Sequence, residues 1–160
     1  MLRLFLIAFV WYFIGNLGIV LSDCPFGWQH YNSSCYFFSS EKLDWYYAEF
    51  ACRAHDARLV EIETKDRQDF IADIAKHHPH ARNYWTGGRD DVTEGRWIWS
   101  STDQPITFTN WGPHEPSNRT DQNCIAIHAA TNWKWVDGTC SETTWFICEK
   151  KYHNSGEIVG

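Results

Sequence analysis

The chain lacks the short patterns by which catalysts are recognised. It contains no His-Glu-x-x-His zinc motif and no phosphate-cradling P-loop. The stretch Gly138-Thr139-Cys140-Ser141-Glu142 is not a nucleophile elbow. A protein without enzymatic activity is expected. Internal repeats, low-complexity tracts and interdomain linkers are absent too, so the length reads as one domain. Positive charge is short, with 14 Lys and Arg against 20 Asp and Glu. Nucleic-acid binders present basic patches, so this balance argues against such a partner. The longest basic-looking stretch, Lys76 to Arg82, is mostly histidine and weakly charged at neutral pH. Its His77-His78-Pro79-His80 run could offer zinc ligands, but Pro79 breaks the spacing and structural zinc sites want four ligands; a solvated helix end is the better reading.

An apolar leader is present. Met1-Leu2-Arg3 is a short basic start, and Leu4 to Leu21 is almost wholly apolar, broken by Asn16. Val20-Leu21-Ser22 suits a signal peptidase, so residues 1–22 are expected to be a signal peptide, cleaved before Asp23, of a secreted protein with no membrane insertion afterwards. A signal anchor is the rival, since about 18 apolar residues is near the lower limit for spanning a bilayer. Against it, Cys24 would begin the fold at the membrane face with no stalk. Cleavage leaves 138 of the 160 residues, with 13 basic against 20 acidic side chains. Six cysteines in a short exported chain read as a disulfide framework. Ten tryptophans supply large buried area to a small, loop-rich core.

Cys24 to Trp28 and Ser34 to Phe38 read as an N-terminal hairpin. Asp44 is placed to cap a helix in which Trp45, Ala48 and Cys52 recur at helical spacing. Ala57 to Ile62 alternates like a strand, and Thr64 caps a second helix expected to carry Phe70, Ile71 and Ile74 inward. Then come short strands around Tyr84–Gly88, Arg96–Trp99, Ile125–Ile127 and Trp145–Cys148, separated by polar loops. Helices first and strands later reads as α+β. The connection from Asn110 to Asn123 is rich in Pro and Asn and long enough to be functional.

Trp111-Gly112-Pro113-His114-Glu115-Pro116, Cys124, Trp135-Val136-Asp137, Cys140 and Cys148 together resemble the C-type lectin-like domain. The resemblance runs from Cys24 to about Lys151, so residues 23–151 are expected to be that domain and 152–160 a short tail. Trp85-Thr86-Gly87-Gly88 stands where the family has Trp-Ile-Gly-Leu, matching at Trp85 and Gly87. Asn83-Tyr84-Trp85 through Glu94-Gly95-Arg96-Trp97 resembles the perlucin-type lectins of molluscs. Six cysteines allow 15 pairings; the resemblance implies Cys24–Cys35, Cys52–Cys148 and Cys124–Cys140. It also implies two helices, antiparallel sheets and a long loop region.

In sugar-binding members one calcium is held by a Glu-Pro-Asn or Gln-Pro-Asp loop, a Glu before the fourth cysteine and an Asn-Asp pair before the fifth, and the sugar's vicinal hydroxyls bind that ion. Anionic oxygens serve the cation and amides serve the sugar. Glu115, Pro116 and Asp137 match, and Glu115–Pro116 becomes a candidate cis peptide. Ser117, Gln122 and Val136 depart from the pattern. The implied cation and carbohydrate ligands are thus Glu115, Ser117, Gln122 and Asp137, with affinity weakened toward roughly 10⁻⁴–10⁻³ M by the missing charge. The competing reading makes Glu115 and Asp137 ordinary solvated loop acids. Glu115 points to mannose-type sugars, with loose selectivity because two amide donors are gone. A second cation position draws on Asp90, Glu94, Asn118 and Asn123, against an acidic turn as the plain alternative. Asn32 and Asn118 open N-glycosylation sequons; a glycan on Asn118 would stand on the proposed binding loop. The expected function is a secreted, calcium-dependent lectin recognising glycans such as microbial surface polysaccharides, with innate immunity as the family's association. The rival is a calcium-independent module that binds a protein or mineral surface.

Overall fold

The computed structural model describes residues 24–78 and 82–152. The expected leader, Pro79 and His80 of the histidine run, and all of the expected tail after Tyr152 lie outside the described residues. Two α-helices and eight strands follow in the order β1 (Gln29–Tyr31), β2 (Ser34–Phe38), α1 (Trp45–Arg53), β3 (Arg58–Leu59), α2 (Lys65–Lys76), β4 (Asn83–Arg89), β5 (Ile98–Trp99), β6 (Cys124–His128), β7 (Lys134–Gly138) and β8 (Trp145–Lys151).

Both helices start where the sequence provides a cap. The Asp44 side chain accepts from the Tyr47 N–H at 2.9 Å, and Thr64 accepts from Arg67 at 3.3 Å, each satisfying an orphan donor of the first turn. Trp45, Ala48 and Cys52 form the buried stripe of α1. In α2 the buried residues are Gln68, Ile71 and Ala75, while Phe70 and Ile74 are only partly buried. Gln68 displaces them because its amide has partners inside. It donates to the Trp133 carbonyl at 2.9 Å and accepts from Trp135 Nε1 at 2.7 Å. Of the histidine run, His78 stacks on Phe38 with ring centroids 5.3 Å apart, and His77 caps α2.

The strands pair in the order β1-β2-β8-β4-β6-β7, with β3 on β8 and β5 on β4. Pairing is antiparallel except between β4 and β8, which run parallel. The stretch expected to alternate, Ala57 to Ile62, forms only the two-residue β3; Val60, Glu61 and Ile62 are all buried. Glu61 is covered because Arg58 lies 3.0 Å from its carboxylate and Ser101 Oγ donates to it at 2.6 Å. The neighbouring Glu149, 1% exposed, accepts from Ser34 Oγ at 3.0 Å and meets Arg67 at 3.3 Å. These buried charges are paired and hydrogen-bonded, as burial demands. Gly87 lies where β4 passes Leu59. A Cβ there would stand 3.0 Å from the Leu59 carbonyl oxygen, so only glycine fits without a shift.

Period-2 alternation splits the core. Ile125, Ile127 and Trp135 enter one cluster with Tyr84 and Ile147; Cys124, Ala126 and Trp85 enter another with Trp45 and Phe146. The three disulfides are Cys24–Cys35, Cys52–Cys148 and Cys124–Cys140, as the resemblance implied. Between β5 and β6 the chain makes the long loop region. Trp135 fixes it: its N–H donates to the Asn110 carbonyl at 2.9 Å, its carbonyl accepts from Gly112 N–H at 2.8 Å, and its ring meets Trp111 and Phe108 edge-on.

Two stability outcomes follow from these contacts. Gln68→Leu orphans the Trp135 indole N–H and the Trp133 carbonyl together, at a cost of about 2–4 kcal/mol in urea unfolding. Cys52–Cys148 spans 96 residues and Cys24–Cys35 only 11. Chain entropy assigns them about 4.7 and about 2.8 kcal/mol. The alanine pair at Cys52 and Cys148 should lower the unfolding midpoint more than the pair at Cys24 and Cys35. Equal losses would refute the ranking.

Candidate functional site

The long loop carries Glu115, Pro116 and Ser117 to the end of β7, where Asp137 stands. The Glu115–Pro116 peptide is cis. The Ser117 N–H donates to both oxygens of Asp137, at 3.0 and 2.9 Å. Ser117 Oγ lies 2.6 Å from Gln122 Oε1 and 2.9 Å from Asp137 Oδ2. The four side chains expected to share an ion are therefore gathered in one place. Val136 sits beside them, half-buried, and offers no side-chain oxygen.

The electrostatics of this cluster are unbalanced. Glu115 Oε2 is buried with no hydrogen-bond partner. Among the described residues, no cationic side chain forms an ion pair with Glu115 or Asp137; the nearby Arg119 is paired with Asp121 at 3.0 Å. Burial, and then the adjoining Asp137 carboxyl, push Glu115 from 4.5 up to about 7, with the Asp137 backbone N–H pulling the other way. Two facing carboxylates with a neutral hydroxyl and an amide oxygen form an all-oxygen donor set suited to a hard divalent cation. The orphaned Glu115 oxygen is what such a cation would satisfy. The set fits calcium, but thinly, with two formal charges and no third acid. No cluster of three or more His, Cys, Asp or Glu side chains occurs among the described residues.

The second expected position is partly assembled. Asp90 is 2% exposed; its Oδ2 accepts from the Gly95 N–H at 2.8 Å while Oδ1 has no partner. Its backbone N–H donates to the Asn123 carbonyl at 3.1 Å, and Asn123 Oδ1 is likewise buried and unpartnered. Burial raises Asp90 above its ordinary range; the Gly95 N–H opposes this, and the charges of Glu94 and Asp137 add to the rise. Asp137 thus contributes to the field at both positions. Glu94 and Asn118 are exposed, and no side-chain bond joins either to Asp90 or Asn123 among the described residues. Both sequon asparagines, Asn32 and Asn118, stand exposed with positive φ, 51° and 55°.

A family model for the lectin C-type domain matches residues 41–150. The chain belongs to the C-type lectin domain family. It is similar to perlucin of Haliotis laevigata, 36% identical over 137 residues, covering 82% of this chain and 88% of perlucin. It is also similar to a perlucin-like protein of Mytilus galloprovincialis, 30% identical over 147 residues, covering 89% of this chain and 94% of that relative. Among solved structures, a calcium-independent type II antifreeze protein superposes with a TM-score of 0.74 at 27% identity, covering 81% of this chain and 95% of that one. The chain is a C-type lectin-like carbohydrate-recognition domain and not an enzyme.

In this lectin domain the cluster opens onto a cleft of about 340 Å³ that runs from Glu115 to His128 and Glu142. Sequence reasoning missed that extension. The signal was the alternation Ile125-Ala126-Ile127-His128, which turns His128 away from the Ile125 and Ile127 cluster.

The raised pKa of Glu115 gives a pH outcome with a definite sign. The folded chain holds the Glu115 proton up to about 7 whereas the unfolded chain releases it near 4.5. Folding takes up a proton in that window, so in chelator stability falls as pH rises through it. Glu115→Gln should flatten this slope in urea midpoints measured from pH 4.5 to 8. An unchanged slope would show that Glu115 does not carry it.

Proposed function

We propose that this lectin domain is a secreted, calcium-dependent carbohydrate-binding protein with loose selectivity for mannose-type sugars. Residues 1–22 act as its signal peptide and residues 23–151 as the binding domain. The observation that carries this reading is the pair Glu115 and Asp137, joined by Ser117 and Gln122, with a buried carboxylate oxygen lacking any partner. Calcium would be held by Glu115, Ser117, Gln122 and Asp137, and supplies Lewis-acid attraction for two vicinal hydroxyls of the sugar. The chain's own side chains then orient the sugar through the remaining lone pairs of Glu115 and the Gln122 amide. Asp90, Glu94, Asn118 and Asn123 form a weaker second cation position. With Ser117 and Val136 in place of amides, selectivity among equatorial-hydroxyl sugars is broad. Microbial surface polysaccharides are the natural target class under the family's innate-immune association.

A second reading has its own support. Asp137 already accepts from the Ser117 N–H and hydroxyl, so the loop is closed without a metal. On that reading the domain is a calcium-independent module that binds a protein or mineral surface, and the likeness to an antifreeze protein described as calcium-independent stands beside it.

Calcium separates the two. For a weak site, tenfold excess of calcium over Kd adds about 1.4 kcal/mol, a melting rise of about 3–6 °C for a domain of this size. Glu115→Ala or Asp137→Ala should abolish the rise, while Gln122→Glu and Val136→Asn should lower the calcium concentration that produces it. Protein retained on mannan in excess chelator would refute the calcium bridge, and a melting temperature indifferent to calcium with no retention on mannan would replace the first reading with the second. If Asn118 carries a glycan, Thr120→Ala removes it and should raise mannan binding; intact mass reports the occupancy.

A further inference from the structure

Helix α1 carries a second apolar face, turned outward and uncovered. Tyr46, Tyr47 and Phe50 are 52%, 67% and 71% exposed, although aromatic rings gain more than most side chains from burial. At about 100° per residue, these three fall with Arg53 and Ala54 inside an arc of about 120°. Arg53 and Ala54 are exposed as well, so the arc is one continuous stripe. It lies opposite the stripe of Trp45, Ala48 and Cys52 that holds α1 to the sheet. An ordinary surface helix has one apolar face; this one has two.

The rings are already ordered. Tyr46 meets the Trp45 ring edge-on with centroids 5.3 Å apart, and its hydroxyl lies 3.5 Å from Asp91 Oδ2. A partner that covers this face therefore has little side-chain freedom left to freeze. At these exposures the three rings offer together about 400 Å² of surface. A stable interface takes about 800 Å² from each partner, so the stripe is its centre and the charged residues around it are the rim.

Charge selects the occupant. Helices that lie on lipid carry Lys and Arg along the polar face, whereas Glu41, Asp44 and Glu49 here outnumber Lys42 and Arg53. A second copy of α1, laid antiparallel about a two-fold axis, is complementary instead. Phe50 and Tyr47 straddle the same midpoint of the helix as Arg53 and Asp44. The register that seats Phe50 between Tyr46 and Tyr47 of the second copy thus sets Arg53 level with the second copy's Asp44. Arg53 and Asp44 also lie to opposite sides of Phe50 around the helix. A two-fold axis exchanges sides as well as ends, so the two meet. Both have capacity to spare. Arg53 donates to Glu49 at 2.9 Å from one nitrogen of a five-donor fork. Asp44 Oδ1 accepts from the Tyr47 N–H, and Oδ2 accepts nothing among the described residues.

We propose that this stripe is a self-association surface, on which two copies of the chain pack their α1 helices antiparallel, with Phe50 as the central anchor and an Arg53–Asp44 pair at each end. Glu115 and Asp137 are not on it, so the dimer leaves both cation clusters open. The proposal is independent of the calcium and sugar readings.

The test is sedimentation velocity on the protein secreted from cells that express the full chain, from micromolar to submillimolar concentration. The expected result is a reversible shift from one chain to two, and no further. Phe50→Glu, at an exposed position, should keep the protein monomeric throughout while its melting temperature stays that of the parent. Asp44→Asn retains the helix cap, since Asn caps as well as Asp, but removes the charge. Arg53→Gln removes the opposite charge. Each should raise the dimer Kd about fivefold, because symmetry uses the pair twice. The double substitution should raise it no further than either alone. A parent that stays monomeric at every concentration would overturn the proposal, as would a dimer that survives Phe50→Glu. Open-ended growth beyond two chains would refute the two-fold arrangement, and fully additive effects of Asp44→Asn and Arg53→Gln would refute the antiparallel register. A monomer that floats with phosphatidylcholine vesicles, and ceases to do so in Phe50→Glu, would assign the stripe to lipid and overturn self-association.

Discussion

Trp135 holds the long loop to the sheet, and every feature of the candidate site depends on that attachment. Its ring is fully buried and its indole N–H is tied to Gln68 of α2. Its backbone accepts and donates across to Gly112 and Asn110, so the loop continues the sheet for one rung before it departs. Glu115 then lies three residues from the clamped Gly112 on the loop side, and Asp137 two residues from Trp135 on the strand side. A single buried residue therefore fixes the separation of two acids that are 22 positions apart in sequence. Large aromatic area is well suited to this task, since it gains burial energy without needing a regular strand to carry it.

The loop that results is neither fully satisfied nor fully solvated. Asp137 is engaged by Ser117, whereas Glu115 keeps an oxygen that nothing occupies. Ser117 is both the departure from the family's amide and the group that closes the cluster internally. That double role explains why two opposed readings can be drawn from one geometry. Removing the internal hydroxyl would free Asp137 for a cation but also loosen the loop. The cluster is ordered from within by Ser117 and still leaves one Glu115 oxygen unpartnered.

How much of this was legible in the sequence depended on the range of the forces involved. Asp44 and Thr64 were readable as caps because a cap satisfies donors only three residues away. The buried stripe of α1 was readable because its period is local. Glu61 was not, because the alternation Ala57 to Ile62 looked half-exposed and the group that covers it, Ser101, lies 40 residues on. Gln68 was missed for the same reason, its partner Trp135 being 67 residues away. The disulfide pairing and the convergence of Glu115, Ser117, Gln122 and Asp137 came through the family resemblance, since spacing alone selects neither. Asn118 entered by the same transfer: it fills a family position in sequence and stands exposed on the long loop.

Ser34 belongs to two systems at once. It is the third residue of the Asn32 sequon, and it is also 1% exposed, with its hydroxyl spent on the buried Glu149. A glycosyltransferase that reads this hydroxyl meets it only before β2 docks against β8. Sugar on Asn32 would therefore be a timestamp, recording that the enzyme reached the nascent chain ahead of the hairpin's closure. Bare Asn32 would record the opposite order. The fraction modified would measure a race between modification and folding, written into the finished molecule.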